Sequence, residues 1–279
     1  MILAITNQKG GVGKTTSVLN IGVYIAIKGK KVLLVDADPQ ANLSSGLGIT
    51  PSLDIEAQQI QDLPKKKYKT IYDLLINKIK AEDVIQSTRI ANLDIIPSGI
   101  ELAGAEVELV GALSRENILK KALEKVSHRY DYIIIDCPPS LGLLTINSLV
   151  SADYILIPVQ SEYFALEGLG QLINTIKLIK NNLNQDMDIG GVMLTMYDSR
   201  TNLSKDVAKE IEKYFDDKLF KSIIPRNIKL SEAPSYGLSI YEYAPQSSGG
   251  IAYEALTDEI IRRFENNIKM IRPNLVKGT

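Results

Sequence analysis

Residues 8–16, Gln8-Lys9-Gly10-Gly11-Val12-Gly13-Lys14-Thr15-Thr16, constrain the fold more than any other stretch. A short apolar run, Ile2-Leu3-Ala4-Ile5, precedes them. A long apolar stretch from Val18 to Ile27 follows and ends in Lys28-Gly29-Lys30. That order predicts a strand, a glycine-rich loop and a helix. Glycines let a backbone approach a ligand closely and turn its N–H groups inward. The helix adds the partial positive charge of its N-terminus, so the loop is suited to an anion. In such a loop Lys14 reaches the β- and γ-phosphates of a nucleotide, and Thr15 offers a hydroxyl to magnesium.

The next apolar run, Lys31-Val32-Leu33-Leu34-Val35-Asp36, reads as a second buried parallel strand, with Gly29 closing the helix before it. It ends in Asp36-Ala37-Asp38-Pro39-Gln40. Acidic groups at the carboxyl end of a strand sit where open α/β sheets bind ligands. Two carboxylates one residue apart point in different directions, one toward a metal and the other toward a water. An ordinary Asp-Pro turn also explains these residues taken alone; beside a phosphate loop the functional reading is preferred. Tyr130-Asp131-Tyr132-Ile133-Ile134-Ile135-Asp136 repeats the pattern, a nearly continuous apolar strand that ends in an aspartate next to the magnesium. Cys137-Pro138-Pro139-Ser140 then turns the chain, with Cys137 read as a small buried hydrophobe.

Further strands are expected at 93–97, 154–159, 191–196 and 222–225. Helices are expected at about 70–79, 81–87, 101–110, 114–126 with Ser114 as N-cap, 140–149, 166–183, 203–215 with Thr201 or Asn202 at its start, and 250–270. The alternation implies an α/β fold, a doubly wound and mainly parallel sheet with helices on both faces. Residues 1–279 read as one domain with an irregular insert at about 41–70, where Pro64-Lys65-Lys66-Lys67-Tyr68-Lys69 is a basic cluster best read as a solvated loop. In the last helix Ile260, Ile261, Phe264, Ile268 and Ile271 form an apolar stripe. It either packs on the sheet or lies on a membrane, and the mixed charges opposite favour packing.

Composition narrows the function classes. A net charge of −1 argues against a globally basic nucleic-acid binder and leaves room for a local patch. The single cysteine excludes an intramolecular disulfide or a Cys₄ site and suits a reducing cytoplasm. The single histidine, His128, excludes a His-rich metal site and a Ser-His-Asp triad elsewhere. The chain enters its first strand directly, so neither a signal peptide nor a membrane span is expected.

The strict phosphate-loop pattern, G-x-x-x-x-G-K-[ST], would place its first glycine at Gln8. Instead Lys9 precedes Gly10-Gly11 and brings a second cation. Lys9 to Thr15 resembles the deviant Walker A signature K-G-G-x-x-K-[ST] of the ParA/MinD ATPases. The blocks Leu102–Leu109, Leu143–Asn147, Glu162-Tyr163-Phe164-Ala165-Leu166-Glu167-Gly168 and Ile224-Pro225-Arg226-Asn227 extend the resemblance to the ParA/Soj partitioning ATPases, from Met1 to about Leu256.

The resemblance implies ATP and Mg²⁺ as cofactors and an ATPase reaction. It implies nucleotide binding by Lys9, Gly10, Gly11, Val12, Gly13, Lys14, Thr15 and Thr16, with Pro225 and Asn227 receiving the adenine. Lys9, Lys14 and Asp38 would be catalytic: Asp38 orients water, and Lys9 reaches the nucleotide of a partner subunit in an ATP-dependent homodimer. Thr15, Asp36 and Asp136 would serve the metal. Arg200, Arg226 and Lys229 would contact double-stranded DNA without sequence preference, with Lys at one site where Arg is common. A ParB-type partner would stimulate hydrolysis, and the protein would be cytoplasmic and nucleoid-associated with no membrane partner. No helix-turn-helix extension is read before the first strand. The alternative is a MinD-like, membrane-associated division-site ATPase. An iron–sulfur reductase of similar fold would need two cysteines per chain, and an ATP-dependent ligase a substrate pocket that no motif marks.

Overall fold

The computed structural model describes residues 1–49, 68–162 and 165–271. Seven strands form one sheet in the order β3-β4-β2-β5-β1-β6-β7. They are β1 (Ile2–Ile5), β2 (Val32–Asp36), β3 (Gln86–Ser87), β4 (Leu93–Ile96), β5 (Tyr132–Asp136), β6 (Tyr154–Gln160) and β7 (Asp188–Thr195). All neighbours pair in parallel except β3 with β4. This is the doubly wound architecture that the alternation predicts.

Side chains alternate between two apolar layers. Leu33, Val35, Ile133 and Ile135 face one layer with the helices Leu102–Glu108, Ile118–Glu124 and Leu143–Ser151. Leu34, Ile134, Leu3 and Ile5 face the other, against the helix Lys14–Ile27 and the helix Ser248–Ile271. With both faces covered, the strands are nearly all apolar. At Gly22 the helix after the glycine loop presses on β2: a Cβ there would lie 2.6 Å from Leu34 Cδ2. That approach fixes the height of the loop above the sheet.

The register sets the site. Ile5 of β1 pairs with Asp136 of β5, and Asp36 of β2 pairs with the same Asp136. The end of the first strand and two carboxylates therefore share one row at the carboxyl edge of the sheet. Three strands far apart in the sequence reach the same level because each apolar run ends there.

Four local readings need correction. The helix expected to Ser87 ends at Val84, and Gln86 and Ser87 instead pair antiparallel with Ile95 and Asp94. The turn between them is closed by Thr88, whose hydroxyl donates to the Leu93 carbonyl at 2.7 Å. The helix expected over 114–126 is a 3₁₀ turn, Arg115–Asn117, followed by Ile118–Glu124. Ser114 precedes it in the left-handed region (φ 51°) and makes no side-chain cap.

Residues 222–225 form no strand, because the Lys221 and Ser222 amides donate to the Glu259 carboxylate (2.8 and 3.0 Å) rather than to β7. The segment still touches β7 through the Ile224 amide, which donates to the Leu194 carbonyl at 2.9 Å, and forms one isolated bridge, Tyr197 to Pro225. Among the described residues of the insert, Asn42–Gly46 form a short helix. Residues 64–67 of the basic cluster lie outside the described residues.

In the C-terminal helix, Ile260 and Phe264 are buried in the core layer shared with Lys14–Ile27. Phe264 is 1% exposed and lies 4.7 Å, centroid to centroid, from Tyr154. The side chains of Ile268 and Ile271 lie outside the described residues. Phe264→Ala is expected to lower unfolding free energy by about 3–5 kcal/mol, the cost of removing a buried aromatic ring, read from urea denaturation.

Cys137 is fully buried, and burial beside the Asp136 carboxylate pushes its thiol up to about 12. Thiolate is the reactive form. Alkylation at pH 8 should therefore wait for unfolding, with its rate tracking denaturant concentration.

Candidate nucleotide and metal site

The loop at the end of β1 is held from beneath by side chains that no motif marks. Asn7 is buried and donates to the Pro158 carbonyl on β6 at 2.7 Å, while its own oxygen accepts the Lys9 amide at 3.0 Å. The Thr195 hydroxyl at the end of β7 donates to the Val12 carbonyl at 2.8 Å. The loop is thus tied to both strands beyond β1. Gly11 (φ 73°) and Gly13 (φ 85°) occupy the left-handed region, which residues with a Cβ rarely adopt. Gly13 then caps the helix that begins at Lys14.

Lys14 is buried, and its ammonium donates back to the Lys9 carbonyl at 3.1 Å. Burial lowers its pKa, and the nearby Asp136, Cys137 and Asp38 act the other way. Thr15 follows Lys14 directly on the same helix, while the Lys9 ammonium lies 2.6 Å from the Glu162 carboxylate.

The carboxylates differ in what satisfies them. Asp36 is fully buried; its Oδ2 accepts the Ser44 amide at 2.9 Å and the Ser44 hydroxyl at 2.7 Å. Ser44 Oγ in turn accepts the Ser98 amide at 3.0 Å, so Asp36 ties β2, the helix Asn42–Gly46 and the end of β4 together. Burial pushes its pKa up to about 6, against the pull of the Ser44 and Asp38 hydrogen bonds. Asp38 accepts the Gln40 amide at 2.9 Å.

Asp136 is fully buried, and neither of its oxygens has a hydrogen-bond partner among the described residues. Burial and then the neighbouring Asp36 charge hold its pKa well above the ordinary carboxylate range, with the nearby Thr15 hydroxyl and Lys14 pulling back.

A buried, unpartnered carboxylate beside a hydroxyl, with two more carboxylates near it, fits a hard divalent cation. No group of three or more His, Cys, Asp or Glu among the described residues could hold a metal unaided. Magnesium characteristically keeps waters and shares phosphate oxygens rather than sitting in an all-protein cage.

Two clefts open beside the loop and share Thr16 and Pro234. One is lined by Thr15, Asn42 and Ser45. The other, about 290 Å³, is lined by Gly13, Thr195, Pro225, Asn227 and Tyr253. Pro225 and Asn227 therefore stand beside the loop. The Asn227 side chain caps the helix Ile228–Glu232 through the Lys229 amide (2.8 Å) and donates to Ser248 Oγ (2.7 Å).

The three basic residues share one region. The Arg226 amide donates to the Tyr197 carbonyl at 3.1 Å, which places Arg226 beside the turn carrying Arg200. Arg200 is gripped by Asp198 through two bonds (2.9 and 2.7 Å) yet its side chain is 86% exposed. Lys229 pairs with Glu232 at 2.8 Å and lies over the Tyr243 ring.

The family model described as "AAA domain" matches residues 1–189. The chain is 54% identical over 259 residues to the sporulation initiation inhibitor protein Soj of Bacillus subtilis, covering 93% of this chain and 97% of that one. It is 51% identical to the chromosome-partitioning ATPase Soj of Treponema pallidum, covering 94% and 97%. The chain belongs to the Soj/ParA family. A solved relative by structure is cobyrinic acid a,c-diamide synthase from Mycobacterium smegmatis with bound ADP and magnesium. It is 34% identical, with TM-score 0.79 and coverage of 95% and 96%. Membership confirms the resemblance carried by Lys9–Thr16 and the later blocks. Asn7, Thr195, Ser44 and Ser98 escaped the sequence because each has its partner in a different element of the fold.

Asp136→Asn removes a buried, uncompensated carboxylate. The variant is expected to melt higher than wild type without nucleotide, and to lose the extra stability that magnesium and ADP add together. Thermal melts with and without each ligand check both halves.

Proposed function

We propose that this member of the Soj/ParA family is a nucleotide-switched partitioning ATPase whose ATP-bound dimer holds DNA. Its family ties support the core of this directly: the chain is a magnesium-dependent ATPase of chromosome partitioning. Identity to the two Soj proteins, 54% and 51%, exceeds the 34% to the synthase. The observation that carries the site is the unpartnered Asp136 carboxylate beside Thr15, in the row below the glycine loop.

The loop amides and Lys14 would cradle the triphosphate, and Thr16, Pro225 and Asn227 line the adjoining cleft for the base. Thr15 and Asp136 would hold magnesium, with Asp36 anchoring the floor of the site through Ser44. The bound metal supplies positive charge to the β- and γ-phosphate oxygens. Asp38 would orient the attacking water; the water oxygen bonds to the γ-phosphorus as the bond to the ADP oxygen breaks, and the water's proton passes to the departing phosphate or to solvent, yielding ADP and phosphate. Lys9 would reach the nucleotide of a second copy, so that triphosphate charge joins two chains. Catalysis is positioning and charge stabilisation, and a ParB-type partner would accelerate it.

Arg200, Arg226 and Lys229 would meet DNA phosphates. The partners of Arg226 and Lys229, Glu162 and Glu232, are exposed and give way at little cost, since surface ion pairs contribute little, whereas Asp198, which holds Arg200, is half-buried.

The test is binding to a random-sequence duplex with ATP, with ADP and without nucleotide, at two salt concentrations. ATP-dependent, salt-sensitive binding is expected, abolished in Lys9→Ala. Arg200→Ala should weaken it and reduce the slope of log affinity against log salt by about 1 for each phosphate no longer neutralised. No binding under ATP at low salt, with the protein dimeric, would overturn the DNA reading in favour of the membrane-associated alternative.

A further inference from the structure

Glu162 stands at the end of β6, inside a block that the nucleotide site leaves without a role. Its carboxylate gathers three side chains from three parts of the fold. Oε2 lies 2.6 Å from the Lys9 ammonium. Oε1 accepts the Gln160 side-chain amide at 2.6 Å and lies 4.0 Å from the Arg226 guanidinium. Lys9 is the cation that distinguishes this loop from the ordinary phosphate loop, and Arg226 belongs to the basic region. One carboxylate therefore joins the signature lysine to the proposed DNA face.

We infer that Glu162 is an autoinhibitory latch that competes with the triphosphate of a second subunit for Lys9. The inference rests on the function proposed above. A triphosphate brought to Lys9 meets the Glu162 carboxylate beside it, and the like charges oppose each other. Lys9 must exchange the carboxylate for phosphate oxygens before the two chains can close on nucleotide.

The exchange is feasible because the pair is not buried: the Lys9 and Glu162 side chains are 36% and 45% exposed. An ion pair so exposed shifts an equilibrium only modestly, and salt screens it. Gln160 and Arg226 stay behind as partners, so the carboxylate is not orphaned when Lys9 leaves. The latch therefore sets the nucleotide concentration at which dimers form without blocking them.

The experiment measures dimerisation by sedimentation velocity with a non-hydrolysable ATP analogue and magnesium, without DNA, for wild type, Glu162→Gln and Glu210→Gln. Glutamine keeps the shape of Glu162 and removes its charge. Glu210 pairs with Lys213 on an exposed helix face and controls for net charge. Each exposed pair accounts for about a two- to fivefold shift, and a dimer opens two, so the Glu162→Gln dimer should be roughly four- to twenty-fivefold tighter. The difference should shrink in high salt, and Glu210→Gln should match wild type.

Wild type that stays monomeric with the analogue would overturn the functional reading itself. Wild type that dimerises, with Glu162→Gln equal to it or weaker while melting like wild type, would overturn the latch alone. An equal gain in Glu210→Gln would overturn it too, by assigning the effect to net charge.

Discussion

The buried carboxyl group of Asp136 is the constraint from which the rest of the site follows. A carboxylate with no hydrogen-bond partner among the described residues, at the end of a fully buried strand, costs stability in the absence of a counter-charge. The fold tolerates it because the neighbouring strands are long apolar runs whose burial offsets the cost. The same row contains Asp36, already satisfied by Ser44, so the two aspartates play unlike parts in spite of their similar settings. One is tied to Ser44; the other keeps both oxygens without a hydrogen-bond partner among the described residues.

This division was only half legible in the sequence. Both aspartates end apolar runs, and no neighbouring residue marks which one is hydrogen-bonded. Ser44 lies in the segment that reads as irregular, and its contact with Asp36 depends on a short helix that packing, not propensity, stabilises. The glycine loop was legible because its chemistry is local: positive φ at Gly11 and Gly13, and a lysine and a threonine at fixed offsets. Its supports were not, since Asn7 and Thr195 bond partners about 150 and 180 residues away, on β6 and in the glycine loop. A lone Asn or Thr at a strand end carries no pattern.

The fold was legible wherever an apolar run ended in a carboxylate or a glycine. It failed where side chains took over backbone partners. Glu259, fixed on the C-terminal helix, captures the Lys221 and Ser222 amides and denies them to the sheet. The apolar pattern Ile223-Ile224-Pro225 reads as a strand because nothing in it records a carboxylate far along the chain. Likewise Gln86 and Ser87 join an edge only because β4 offers unpaired groups there and a tight turn reverses the chain.

The captured amides also bear on how molecules of this kind tolerate crowding. A parallel sheet with long open edges would invite strand-to-strand addition from neighbouring copies. Here one edge is a strand of two residues, and the other is covered by a segment two of whose amides, those of Lys221 and Ser222, are taken by Glu259 and which ends in a proline. Neither margin offers a continuous ladder for another chain to extend. Copies at high local concentration are thus steered away from fibre-like, edge-to-edge association.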